Sequence, residues 1–202
     1  MNENILRQIG KTQTYKDLSK HFDGSLCNTV KVLGNCAGMI KENEFNNFKE
    51  WAAFWYQSEF SDNLPDAVEL LKNYTIPILE KEYSISEYEE CILYHTLVQT
   101  WDGLQREKEI LEYLKSKRPN SHFRLSSYEE DRKLGIDILQ FNNETKKLER
   151  VFQVKPISFK KIMDTKYDYN TPKLKNFINK YQKDAWYIFY KGKNDYEYKK
   201  VG

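Results

Sequence analysis

The residues with the most chemistry in them sit on two short segments, Ile136-Asp137-Ile138 and Gln153-Val154-Lys155. Both lie in stretches that read as β-strands, 136–141 and 150–156, joined by Asn142-Asn143-Glu144-Thr145-Lys146-Lys147. In an antiparallel pair the position numbers of opposed residues have a constant sum. A turn centred near Thr145 therefore sets Asp137 against Gln153, Leu139 against Val151 and Phe141 against Glu149. The other face pairs Ile136 with Val154 and Ile138 with Phe152, a wholly apolar set. A slip of one residue would exchange the two faces, so this apolar set argues for the register.

In that register Asp137, Gln153 and Lys155 gather on one side. A carboxylate, an amide oxygen and an ammonium in reach of one another suit a hard divalent cation such as Mg2+. Asp137 and the Gln153 side-chain oxygen would be ligands, and the backbone carbonyl of Val154 a further one. Lys155 would orient or deprotonate an attacking water and offset phosphate charge.

The elements that must position these groups follow from hydrophobic period. A helix from Leu104 to about Ser116 places Gly103, Leu104, Ile110, Leu111 and Leu114 on one face, with Glu107 at its centre. Glu109 and Glu112 point away. A carboxylate on a buried stripe needs a partner. Standing alone it reads as one half of a structural ion pair; beside the other three residues the metal-site role is favoured. Phe123-Arg124-Leu125 is a short strand, Pro172 to Gln182 a helix, and Trp186 to Tyr190 a buried strand ended by Gly192. Residues 100–202 therefore read α-β-β-β-α-β, while 1–99 read as helical with no repeat and no low-complexity linker.

The constellation Glu107, Gly135-Ile136-Asp137 and Gln153-Val154-Lys155 resembles the PD-(D/E)XK nuclease superfamily, whose α-β-β-β-α-β core carries a Glu on its first helix, an Asp on the second strand and (E/Q)-x-K on the third. Gln153 stands where most members have an acid. The run Thr100-Trp101-Asp102-Gly103-Leu104, then Phe123-Arg124-Leu125, Gly135-Ile136-Asp137 and Gln153-Val154-Lys155-Pro156, is similar to the MjaI family of type II restriction endonucleases over about residues 100–160. The resemblance implies an α/β (α+β) restriction-endonuclease-like fold and a homodimer that cuts both strands of a short palindrome in double-stranded DNA.

In the N-terminal region Tyr15, Leu18 and Phe22 lie at helical spacing, and Asp23-Gly24-Ser25 reads as a turn. Val30, Leu33, Ala37 and Ile40 then mark one stripe of a second helix, Asn28 to Ile40. These are helix-turn-helix proportions. Asn28, Lys31 and Asn35 would lie opposite the stripe, with side chains suited to phosphates and base edges; an ordinary helical hairpin with a solvated face has equal weight. Gly10 to Leu18 with Lys31-Val32-Leu33-Gly34-Asn35 is also similar to the DNA-binding module of alkylguanine-DNA alkyltransferases, in which Tyr15 and Lys31 would take the places of a Tyr and an Arg that assist base flipping. That family's Pro-Cys-His-Arg nucleophile is absent, which excludes alkyl transfer. Trp51, Phe54, Trp55 and Tyr56 read as core rather than a base-stacking platform. Ser86-Glu87-Tyr88-Glu89 has the form of a capping box, Trp101-Asp102-Gly103 reads as a helix break, and Glu130 and Asp131 as loop acids.

Composition sets the outer bounds. The 202 residues are 40% hydrophobic, and Lys plus Arg total 32 against 30 acids. A net charge of +2 neither announces nor excludes nucleic acid, which needs only a local basic cleft. Cys27, Cys36 and Cys91 form no CxxC pair, so neither a disulfide framework nor a zinc knuckle is expected. With no apolar run long enough to span a bilayer, the expectation is a cytoplasmic protein with no membrane partner. Two other readings stay open: a non-catalytic DNA-binding protein on the same fold, which Gln153 permits, and a repair or resolvase-type nuclease.

Overall fold

The computed structural model describes residues 2–166, 172–192 and 194–201, and its contacts divide the chain into two compact units, Met1–Leu104 and Gln105–Gly202. The first is helical. In it α1 spans Glu3–Ile9, α2 Gln13–Leu18, α3 Phe22–Ser25, α4 Val30–Leu33, α5 Cys36–Glu42, α6 Phe48–Tyr56, α7 Leu64–Leu79 and α8 Ile85–Leu93. Helix α6 buries Phe48, Trp51, Ala52 and Trp55, the stripe its spacing implies. Both indoles are core: Trp51 Nε1 donates to Leu97 O at 3.1 Å and Trp55 Nε1 to Leu33 O at 3.1 Å.

The expected helix from Asn28 to Ile40 is corrected. Gly34 takes φ 79°, and a Cβ there would come within 2.5 Å of the Phe60 ring, so the chain breaks between α4 and α5. Leu33 and Ile40 are buried but Ala37 is exposed; the side chain of Val30 lies outside the described residues. The expected Asp23-Gly24-Ser25 turn is instead part of α3, closed by Leu26 at φ 60°. The capping box belongs to Ser84 and Glu87, two residues earlier than the sequence pattern placed it. Asp66 lies in the first turn of α7, whose N-cap is Asn63.

Helix α9 spans Thr100–Lys117 and runs without a break through Trp101-Asp102-Gly103. The irregularity comes earlier, as a π-helical stretch over Tyr94–Gln99.

The second unit is built on a five-stranded sheet: β1 Ser121–Leu125, β2 Ile138–Asn142, β3 Leu148–Pro156, β4 Asp184–Gly192 and β5 Asp195–Lys200, in the spatial order β1-β2-β3-β4-β5. All neighbours are antiparallel except β3 and β4, which are parallel. That parallel pair needs a crossover, supplied by α11 (Ile157–Lys166) and α12 (Pro172–Tyr181). A further helix, α10 (Tyr128–Leu134), fills what reads as loop between β1 and β2. Neither α10 nor β5 is apparent from hydrophobic period, because each has only two apolar or aromatic residues among its charges. The architecture is mixed α+β.

Both sheet faces are covered. Ile138, Phe152, Val154, Ile188 and Phe123 pack against Ile110, Leu111 and Leu114 of α9. Leu139, Val151, Ala185, Tyr187 and Phe189 pack against Met163 of α11 and Leu174 and Phe177 of α12.

Candidate active site

The β2–β3 hairpin sets the geometry. Ile138 faces Phe152 and Leu139 faces Val151, the register expected from alternation. An irregularity after Gln140 then sets Phe141 against Leu148 rather than Glu149. The turn is built by Asn142, whose Oδ1 accepts from Glu144 N at 3.0 Å and Thr145 N at 2.8 Å, and by Lys146 at φ 56°.

The other end departs from simple alternation. Gly135 ends α10 in the left-handed conformation, φ 67°, and β2 begins only at Ile138. Ile136 consequently joins the cluster of Leu139 and Val151 instead of pairing with Val154 on the Ile138 face. Asp137 thus sits at the mouth of the ladder, where hydrogen bonds rather than the pleat fix its direction. Its N–H donates to Phe152 O at 2.9 Å and its carbonyl accepts from Ser126 N at 2.8 Å. Its Oδ2 accepts from Val154 N at 2.6 Å.

That last bond brings the acid to the middle residue of Gln153-Val154-Lys155. Asp137 is only 5% exposed, so this bond is shielded from water. Gln153 and Lys155 are half-buried. A Cβ added to Gly135 would come 3.5 Å from Gln153 Nε2 and 3.5 Å from the Lys173 side chain, so the amide, the glycine turn and α12 converge beside Asp137. Lys155 Nζ stands 5.8 Å from the Phe159 ring centre. Lys173 is the residue that sequence reasoning missed here. Nothing local marks it, since only the folding of α12 onto this end of the sheet brings it close.

Glu107 is half-buried on α9, three and four residues before the buried Ile110 and Leu111, with its Oε2 shielded from solvent. Glu109 and Glu112 point outward, as expected, and pair with Arg106 and Lys115. Glu130 proves structural: both its oxygens meet the Arg124 guanidinium at 2.7 Å, and it closes a capping box on Ser127. The Arg124 pair, aided by Ser127, holds the Glu130 carboxyl down to about 2, against the cost of burial. Among the described residues no three or more His, Cys, Asp or Glu side chains cluster as a metal site.

The N-terminal candidates do not share a helix face. Tyr15 is buried, its ring 4.7 Å from that of Tyr94 and its hydroxyl 3.4 Å from His95 Nδ1. Burial raises the Tyr15 hydroxyl well above its usual pKa and lowers that of His95. Asn28 Nδ2 donates to Asp23 at 3.1 Å, before α4 begins. Asn35 caps α5 by accepting from Gly38 N at 3.1 Å. Lys31 alone of the four is exposed.

Comparison with known proteins matches the sequence profile of the MjaI restriction endonuclease to residues 20–200. The chain belongs to the MjaI restriction endonuclease family. The family match runs through both units, so the helices from α3 onward as well as the sheet are part of what its members share in sequence, while α1 and α2 precede it. No curated protein and no solved structure gave a significant match. No helix among the described residues is long and apolar enough to cross a membrane.

Proposed function

We propose that this member of the MjaI restriction endonuclease family is a type II enzyme that hydrolyses phosphodiester bonds in duplex DNA at a short palindromic site, as a homodimer dependent on Mg2+. The observation that carries the reading is the 2.6 Å bond from Val154 N to Asp137 Oδ2, which ties the acid to the Gln153-Val154-Lys155 segment. The order α9, β1, β2, β3, crossover helices, β4 supports a PD-(D/E)XK core, with α10 inserted and β5 appended.

The donor set fits the metal. Mg2+ takes hard oxygen ligands, needs only one or two protein carboxylates and keeps several waters. Asp137 would supply a carboxylate, Gln153 its amide oxygen and Val154 its backbone carbonyl; Glu107, on α9, stands on the sheet face opposite to Gln153 and would add a second carboxylate only by reaching the ion past the strand ends. When bound, such an ion lowers the pKa of a water and stabilises charge building on phosphate oxygens. Lys155 does the rest of the local work. Its ammonium orients the nucleophilic water and offsets the phosphodiester charge, and Lys173 adds a second positive charge beside Gln153. Asp137 contributes rigidity, because its backbone and its carboxylate are tied to β3.

We place recognition of DNA in residues 1–99 and cleavage in 100–202. With Tyr15, Asn28 and Asn35 engaged in packing and capping, Lys31 is left as the phosphate contact of the original four. Gln153 favours one competing reading, a DNA-binding protein that does not cut, because an amide holds a divalent ion less strongly than an acid does.

The test is incubation of the protein with mixed plasmid and phage DNA and Mg2+. The proposal expects a reproducible fragment ladder, abolished in Asp137→Asn and Lys155→Ala. Binding of duplex DNA with no cleavage under Mg2+ or Mn2+ would establish the competing reading, and preferential cutting of branched DNA the repair-type one.

A further inference from the structure

At the opposite end of β3 from Lys155, on the face covered by α9, the second unit holds a cavity of about 340 Å³. Its walls include Tyr113, Lys117 and Arg118 from the end of α9, Arg150 of β3, Trp186 of β4 and Tyr198 of β5. Arg150 and Gln153 are three residues apart on an extended strand, about 10 Å, and their side chains point to opposite faces. The cavity is therefore distinct from the candidate active site.

Three features give it a chemical character. First, Arg150 Nε and Trp186 Nε1 are both shielded from solvent, and neither has a hydrogen-bond partner among the described residues. Buried donors are nearly always satisfied, so two together at one cavity call for an acceptor. Second, the lining supplies three cations and no carboxylate among the described residues. The acids next to Arg150 in the sheet are already engaged: Glu149 by Gln140 Nε2 and Asn142 Nδ2 at 2.9 and 3.1 Å, and Asp184 by Lys200 at 2.8 Å. Third, four aromatic rings, Tyr113, Phe152, Trp186 and Tyr198, stand among the cations, with Lys117 Nζ 5.6 Å from the Tyr113 ring centre and Tyr198 43% exposed. Arg118 Nη1 makes a long bond to Gln140 Oε1, at 3.5 Å, and Arg118 is exposed, placed to turn toward an anion.

Cations that read phosphate, beside rings on which a base can stack, are the chemistry of nucleotide recognition. The volume lies at the lower end of the range for small-ligand sites, room for one nucleotide and not for a duplex. We propose that this cavity binds a single nucleotide unit, its phosphate held by Arg150, Arg118 and Lys117, and its base against Trp186 and Tyr198. The unit comes either from free nucleotide or from an unpaired DNA strand. The inference is independent of the endonuclease reading.

Calorimetric titration in EDTA tests it with four probes: inorganic phosphate, deoxyadenosine, dAMP and a 5′-phosphorylated single-stranded tetranucleotide. The expected result is that dAMP, the tetranucleotide or both bind about tenfold or more tighter than either phosphate or the nucleoside. Arg150→Gln and Trp186→Phe, which removes the N–H but keeps a ring, should each weaken that binding about tenfold. Thermal melting monitors their folding, and Arg118→Gln on the exposed rim serves if Arg150→Gln does not fold. Tight binding of dAMP identifies free nucleotide as the source; binding of the tetranucleotide alone identifies a DNA strand. The proposal is overturned if no probe exceeds inorganic phosphate, or if the folded variants bind as the unaltered protein does.

Discussion

At the scale of single residues, the proposed site gives Asp137 two jobs that substitutions can separate. Its Oδ2 accepts a 2.6 Å bond from the buried amide of Val154, so it holds the site as well as supplying charge. Asp137→Asn keeps an oxygen acceptor and removes the anion; cleavage should fall to background while the melting curve stays close to the original. Asp137→Ala strands the Val154 N–H, which should cost a further 1–3 kcal/mol or so in stability. Denaturant melts of the two variants, read beside a plasmid assay, check this, and equal losses of stability would show the bond to be incidental. The register that sets Ile138 against Phe152 and Leu139 against Val151 was readable, because the apolar residues of the two segments match face to face in that register. The reversal at Ile136 was not, because it follows from the φ 67° of Gly135, which no spacing rule reports.

Elements show the same division between local signals and tertiary ones. Helix α10 carries a Ser127-x-x-Glu130 box in plain sight, yet it has no apolar stripe, and its acids read as loop. The Arg124–Glu130 pair makes its stability depend on pH. Glu130 titrates at about 2 in the folded protein, against about 4.3 in an unfolded chain. A depressed carboxyl stabilises above its unfolded pKa and loses that contribution as pH falls toward the folded one. Both partners are partly exposed, which discounts the pair to about 1 kcal/mol. Glu130→Gln should therefore melt lower at pH 7, and the difference should vanish between about pH 4.3 and pH 2. A gap that persists at acid pH would refute the assignment.

Two glycines give an opposed pair of outcomes. Gly34→Ala forces a left-handed alanine against the Phe60 ring and should cost about 2–4 kcal/mol. Gly103→Ala, in the interior of α9 with nothing within 4 Å of the new carbon, should gain about 0.5–1 kcal/mol. Chemical denaturation of both measures the contrast. The break at Gly34 separates Lys31 from Asn35, and Asn28 precedes the start of α4, although apolar spacing alone ran straight across the whole stretch.

On the scale of the whole molecule, each unit has its own core, and the division falls inside α9. A fragment beginning at Thr100, which keeps α9 intact, should fold with a cooperative melt and the circular dichroism of a mixed sheet. A non-cooperative fragment would mean that the sheet depends on the N-terminal helices. The nucleotide cavity belongs to this scale as well: its walls come from α9, β3, β4 and β5, so no stretch of sequence displays it.

The outermost strand carries a last consequence. Among the described residues β5 is bonded along one edge, to β4, and its residues Asp195, Glu197, Lys199 and Lys200 punctuate it with charge. An open edge is a template on which a neighbouring chain can continue a sheet, and charges along it make that addition unfavourable. Solubility at high concentration thus depends on these four charges, and neutralising them should leave the rim of the sheet open to edge-to-edge association.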